Sequence, residues 1–374
     1  MIYAPGRNDR PAEIQETVLP PESQTECPFC RGNESRTPAA TLSLGDPEDE
    51  HGGWSVRVVP NLFPAVLPLA TVRPQYGCHG VAERSYEAGV AAWQGQRSPR
   101  ELSYSVPRPR PIELFQTFEL HGGHEVIVES PRHVESITDL SPAQAARVFQ
   151  AYAQRMRYWS SVAGVQYVTV FKNVGAAAGA SLRHTHSQLV ATSLLPPNLE
   201  RIERTTSDYF RQTGQCLLCA MLAEEEVGDR IVARSPRFVA YCPFASRLPF
   251  LVRIAPLVHT DRFEWEGDDA LRELARLVQQ IVGRMEALIR ECSYNLTIHT
   301  RPPHHGTEES FHWWLEIFPR LTKVAGFEWG SDCFINPETP ETAARQLRCP
   351  SSSLQGHGLQ GQALERPRSP SGRD

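Results

Sequence analysis

The sequence predicts an α+β fold built from a duplicated unit, and three observations lead there. Two amphipathic helices are each followed by a short alternating apolar run that reads as a strand. A Cys-x-x-Cys pair stands ahead of each helix, Cys27/Cys30 in the first copy and Cys216/Cys219 in the second. A histidine precedes each helix and another follows each strand: His133 and His184, 51 residues apart, then His259 and His312, 53 residues apart. Matched order and spacing over two stretches of chain is the mark of an internal repeat.

Along the chain, the opening "MIYAPGRNDRPAEIQ" has no apolar core of a signal peptide. Residues 72–111, including "AAWQGQRSPRELSYSVPRPRP", are rich in Pro, Arg and Ser without sustained periodicity and read as a flexible surface insertion. That insertion, with longer loops in the first half, accounts for the wider Cys30-to-His133 interval. Ser141-Pro142 supplies an N-cap and a first-turn proline, and Val148, Phe149, Tyr152, Met156 and Trp159 form one helical face. The strand "QYVTVFKN" follows, then the small-residue loop "NVGAAAGAS" and the run "HTHSQ". In the second half a helix is expected from about Asp268 to Arg290, then the strand "YNLTIHT" and the run "FHWWLEIFPR". The domain reading is 1–200, 201–346 and a tail at 347–374 with the composition of a disordered terminus.

Composition narrows the class. At 374 residues with net charge −5, acids and bases interspersed, the chain lacks the basic face that phosphate backbones demand, which argues against nucleic acid. No apolar run approaches the roughly 18 residues of a membrane span. We expect a cytoplasmic protein, where Cys-x-x-Cys pairs bind metal or do redox work more often than they form structural disulfides.

Two thiolates and two imidazoles make a soft, tetrahedral donor set whose usual occupant is Zn²⁺. The repeat aligns His184 with His312, so both read as metal ligands. It aligns His186 with Trp314 and Gln188 with Glu316, so the second copy lacks those two groups and His186 needs a separate explanation. A histidine facing a ligand can act as a nucleophile toward phosphorus or as a general base. The loop before it favours phosphorus chemistry, since its glycines and alanines let backbone N–H groups approach a phosphate, with Asn173 and Ser181 adding side-chain hydrogen bonds. An amide at Gln188 can donate to a phosphoryl oxygen but cannot protonate a leaving group. That suits a leaving group already stable as an anion, such as a sugar phosphate.

"NVGAAAGASLRHTHSQ" resembles the active-site stretch of the galactose-1-phosphate uridylyltransferases, a family of the histidine-triad superfamily. "CPFCRGNES", "RVVPNLFPAV", "ESPRH", "FHWWLEIFPRL" and "GFEWGSDCFINPETPE" fall in the family's order, so the resemblance spans nearly the whole chain. It is especially close to the branch with two Cys pairs that includes plant-type ADP-glucose phosphorylases. The resemblance implies two tandem histidine-triad-like units, each an antiparallel sheet with a packed helix. It implies that His186 is the nucleophile and that Gln188 holds phosphoryl oxygens. One zinc would sit at Cys27, Cys30, His133 and His184, and a second at Cys216, Cys219, His259 and His312. Asn61 would contact the nucleoside, Asn173 and Ser181 the diphosphate, Arg7 and Arg10 phosphate, and Phe327, Glu328 and Asn336 the sugar. Members of the family precede "MIYAPGR" with more residues, implying a missing N-terminal strand or a misassigned start.

The leading expectation is therefore a UDP-glucose:hexose-1-phosphate uridylyltransferase of galactose metabolism, working on a nucleotide sugar and a hexose 1-phosphate, with room for a homodimer. The first alternative is ADP-glucose phosphorolysis, the same covalent step with adenylyl passed to phosphate. The second is a zinc-stapled binding protein without turnover, against which the intact His186 and Gln188 stand.

Overall fold

Ser141 caps the first long helix as its sequence demands: its side chain accepts from the Gln144 N–H, and Pro142 fills the first turn where no donor is needed. That helix, α1 (Pro142–Ser160), buries Val148, Phe149, Tyr152, Met156 and Trp159 on one face, as the spacing predicts. The computed structural model describes residues 25–45, 53–68 and 119–350. Ahead of α1 lie β1 (Leu42–Gly45), β2 (Trp54–Pro60), β3 (Leu67–Pro68) and β4 (His121–Val128). After it come β5 (Tyr167–Val174), β6 (His186–Thr192), α2 (Pro197–Thr213) and α3 (Leu217–Glu225). The second half continues with β7 (Ile231–Arg234), β8 (Phe238–Tyr241), β9 (Val252–Pro256), α4 (Asp268–Leu288), β10 (Tyr294–His299), β11 (Trp314–Pro319), α5 (Gly326–Ser331) and α6 (Pro340–Arg348).

The strands form one sheet in the order β1-β2-β4-β6-β5-β10-β11-β9-β8-β7, every pair along that path antiparallel; β3 lies off it, paired parallel with β4. The α+β, antiparallel expectation holds. The duplication is visible in the order itself, which reads outward from the central β5–β10 pair as β6, β4 on one side and β11, β9 on the other. The two units thus share one sheet, joined where Asn173 faces Asn295 and Lys172 faces Leu296.

Period-two alternation sorts the residues of each strand between two faces. Val168 and Val170 of β5 and Leu189 and Ala191 of β6 join α1 and α4 in a single apolar core. The alternate residues of β4, Val126 and Val128, pack instead with Cys27, Phe29 and Cys30 on the opposite face. His186 and Gln188 share the period of that second set, so the site lies on the side of the sheet away from α1.

Three expectations shift in detail. The "HTHSQ" strand begins only at His186, with His184 in the turn before it. The second long helix ends at Leu288 rather than Arg290, and Ile289 has already turned to extended backbone. Helix α6 continues through Arg348, past residue 346 where the sequence reading ended the second half, because Ala343, Ala344 and Leu347 recur at helical spacing and are buried against the core. The 72–111 insertion, Arg7, Arg10 and residues 351–374 lie outside the described residues.

Candidate nucleotidyl-transfer site and metal clusters

Cys27, Cys30, His133 and His184 converge, their donor atoms all within 4.8 Å of one another. Cys27 Sγ lies 3.4 Å from His184 Nδ1, and Cys30 Sγ lies 3.5 Å from His133 Nδ1 and 3.6 Å from His184 Nδ1. Sulfur and nitrogen ligands on one tetrahedral ion stand about 3.5 Å apart when bonded at roughly 2.3 and 2.0 Å. The Nε2–H of His184 donates to the Ser130 carbonyl at 2.9 Å, which leaves the Nδ1 lone pair turned toward the thiols. Burial lowers the His184 pKa to about 4, keeping the ring neutral, the form a metal requires.

The second set is Cys216, Cys219, His259 and His312. Cys219 Sγ stands 3.3 Å from both histidine Nδ1 atoms, and His259 Nε2 donates to the Glu308 carbonyl at 2.8 Å. Burial pushes the Cys219 thiol up to about 12 and the His312 imidazole down to about 3. A bound cation would reverse the first shift by stabilising the thiolate. Both four-residue groups can therefore hold a metal ion, and the donor chemistry fits the one anticipated.

His186 opens β6 and is buried. Its Nδ1 stands 2.7 Å from the His184 carbonyl oxygen. A ring nitrogen facing a carbonyl oxygen must carry the hydrogen, so Nε2 holds the lone pair. Metal cluster and His186 are thus adjacent links of one chain, joined by the backbone of His184. The Phe29 ring, carried by the Cys-x-x-Cys turn, packs 5.3 Å from the His186 ring.

Behind this strand lies a buried polar network that the motif reading missed. Lys172 Nζ donates to Glu129 Oε2 at 2.6 Å, to Thr185 Oγ1 at 2.7 Å and to the His186 carbonyl at 3.1 Å. Tyr152 and Ser187 hydroxyls donate to Glu129 Oε1. Burial alone would raise the Glu129 pKa, but the Lys172 charge and these hydrogen bonds outweigh it and hold it below the ordinary carboxylate value. The sequence did carry a signal: in "VTVFKN" the alternation that buries Val168 and Val170 sends Lys172 to the same apolar face, where a lysine needs a partner.

Gln188 sits two residues on. Its Oε1 lies 2.9 Å from His124 Nε2 and accepts from Asn61 Nδ2 at 3.4 Å. Asn61 Oδ1 in turn accepts the Phe63 N–H at 2.8 Å. His124, on β4, was not anticipated.

Asn173 stands near the end of β5, just ahead of the small-residue loop, and its Oδ1 accepts from Asn295 Nδ2 at 2.8 Å. Gly175 has φ +79°, and a Cβ there would overlap Ser293 of the second half, so the position requires glycine. Ser181 is exposed at the far end of the loop. Phe327 is exposed on α5, Glu328 caps that helix by accepting from the Ala325 N–H, and Asn336 Nδ2 donates to the Ser246 carbonyl. The contacts seen for these three are with their own C-terminal segment and the Ser246 loop.

The equivalent ground in the second half is filled by its own side chains. Trp314, at the His186 position, stacks with both His299 and Phe311, with Arg253 4.9 Å over its ring. Glu316, at the Gln188 position, accepts from Arg253 at 2.7 Å. Burial would raise its pKa, yet Arg253 and His299 hold it far below the carboxylate range.

Residues 90–196 match the family description "Galactose-1-phosphate uridyl transferase, N-terminal domain". The chain is 30% identical over 356 residues to an ADP-glucose phosphorylase of Arabidopsis thaliana, spanning 93% of this chain and 89% of that protein. It is 29% identical over 242 residues to a galactose-1-phosphate uridylyltransferase of Thermotoga maritima, spanning 63% and 76%. Among solved structures, an Arabidopsis thaliana ADP-glucose phosphorylase with bound ADP-glucose superposes with a TM-score of 0.69 at 30% identity, over 94% of this chain and 95% of that one. A uridylyltransferase structure at 24% identity shares the fold, with a TM-score of 0.66 over 89% and 94%.

Proposed function

This chain belongs to the galactose-1-phosphate uridylyltransferase family of nucleotidyltransferases, and from that premise we propose that His186 carries the nucleotidyl group through a covalent intermediate. One observation carries the reading: the 2.7 Å bond from His186 Nδ1–H to the His184 carbonyl aims an Nε2 lone pair away from the backbone. That lone pair attacks the α-phosphorus of a nucleoside diphosphate hexose. The phosphorus–nitrogen bond forms as the bond to the bridging oxygen breaks, and hexose 1-phosphate leaves with the electron pair. The His184 carbonyl steadies the positive charge the ring gains on attack. Gln188 donates its amide hydrogens to a phosphoryl oxygen, and Asn173 and Ser181 line the approach of the diphosphate. An incoming phosphate oxygen then displaces the ring, and the imidazole is recovered unchanged. Zinc in both Cys₂His₂ groups would be structural, and the first would pin His184 so that its carbonyl stays on His186 Nδ1.

Two donors fit this chemistry. Adenylyl transfer to inorganic phosphate is favoured by the relative that aligns over 93% of the chain. Uridylyl transfer to a hexose 1-phosphate, galactose 1-phosphate foremost, is favoured by the family match over residues 90–196 and by the uridylyltransferase relatives. Intact mass after separate incubation with ADP-glucose and UDP-glucose decides between them, the expected adduct being stable in base and labile in acid. A His186→Gly variant should form no adduct while keeping its zinc. Wild-type protein with full zinc and no adduct from either sugar would overturn the proposal.

A further inference from the structure

We propose that His124 is a positioning residue that fixes which end of the Gln188 amide faces the phosphoryl group. The inference rests on the nucleotidyl-histidine reading and adds to it a residue that acts through the Gln188 amide.

The hydrogen-bond pattern around His124 admits one tautomer. The Ala65 backbone N–H donates to His124 Nδ1 at 3.1 Å, so that nitrogen bears the lone pair and Nε2 bears the hydrogen. His124 Nε2–H then donates to Gln188 Oε1 at 2.9 Å. The Asn61 amide is set independently, because its Oδ1 accepts the Phe63 N–H and its Nδ2 is left to donate to the same Gln188 oxygen. The 3.1 Å approach of Asn61 Nδ2 to His124 Nε2 is two donors sharing one acceptor. With both lone-pair directions of Oε1 engaged from behind, the Gln188 NH₂ is the end presented to the ligand.

The orientation matters because the two ends of an amide differ by sign. An NH₂ stabilises charge on a phosphoryl oxygen, whereas a carbonyl oxygen turned the same way repels it. The second half makes the same arrangement with other residues: Glu316, at the Gln188 position, is held by Arg253 of the neighbouring β9. Each half thus ties this position from the adjacent strand, β4 in one and β9 in the other, and only the first half ties an amide.

Two substitutions separate orientation from support of the 61–65 loop. Glutamine can place its Nε2 near that of histidine, keeping the donor to Gln188 and losing the acceptor for Ala65. Asparagine can place its Oδ1 near histidine Nδ1, keeping the acceptor and losing the donor. The rate of adduct formation is measured under single-turnover conditions on the full zinc-loaded chain, using whichever of ADP-glucose and UDP-glucose labels the wild type. His124→Asn should slow it about tenfold or more, and His124→Gln should remain within about threefold. In a Gln188→Ala background, His124→Asn should add no further loss. Asn milder than Gln, equal losses from both, or an undiminished loss in the Gln188→Ala background would overturn the proposal while leaving the nucleotidyl-histidine reading intact. A wild type that forms no adduct would overturn that reading and this one with it.

Discussion

At the scale of single residues, Lys172 and Glu129 form an ion pair behind the site with both side chains wholly buried. Such a pair adds little net stability over apolar residues of the same shape, but breaking it strands the other charge in a dry interior. Lys172→Met should therefore cost about 3–5 kcal/mol in denaturant unfolding. Adding Glu129→Gln should recover part of the loss, because the stranded charge is then gone. The pair also sets an acid limit. Glu129 and Glu316 have folded-state pKa values below their reference of 4.5, so the unfolded chain binds their protons first as pH falls. The stability they contribute is fully present above about pH 4.5 and is lost as pH drops through the depressed values. Urea unfolding between pH 6 and pH 3 should show this decline, and the Glu129→Gln, Lys172→Met double variant should show a shallower one.

At the scale of elements, the small-residue loop between β5 and β6 is fixed against the second half by a single glycine. Gly175 must hold φ +79° against Ser293, so Gly175→Ala should displace the loop that follows Asn173. We expect adduct formation to slow about tenfold or more while zinc content stays at the wild-type level, checked by single-turnover labelling and metal analysis. The loop, both long helices, the duplicated Cys and His order and the separation of His184 from His186 were legible in the sequence. Each is written in local spacing, in caps, or in a comparison of one half with the other. The amide orientation at Gln188 was not, because it depends on His124 and Asn61, which are 64 and 127 residues distant in the chain. Nothing in the pattern of β4 distinguishes a histidine that orients an amide from one that merely faces the same way. Lys172 was legible in principle, from its place on an apolar strand face, but its partner Glu129 was not.

At the scale of the molecule, duplication has produced one sheet with two unequal halves. Sequence repeats announce two units but not which edges pair, since strand partners far apart in the chain leave no periodic trace. The structure settles this by joining β5 to β10, and that junction gives the second half a task. Asn295 Nδ2 donates both to Asn173 Oδ1 and to the Ala178 carbonyl, so the half whose own ground is filled by Trp314 braces the small-residue loop of the other. If that loop faces phosphate as proposed, the consequence is measurable. Asn295→Ala removes both hydrogen bonds and should cost about 1–2 kcal/mol of stability. It should also slow nucleotidylation about tenfold, because Asn173 is then able to turn its carbonyl toward the phosphate. The adduct should still reach one nucleotidyl group per chain, the number expected of the wild type. A second group appearing on the chain would mean that the second half is open to nucleotide, contrary to the stacking of His299, Trp314 and Phe311. An unchanged rate in Asn295→Ala would mean that the loop holds its shape without the β10 strand, and that the shared sheet serves stability alone.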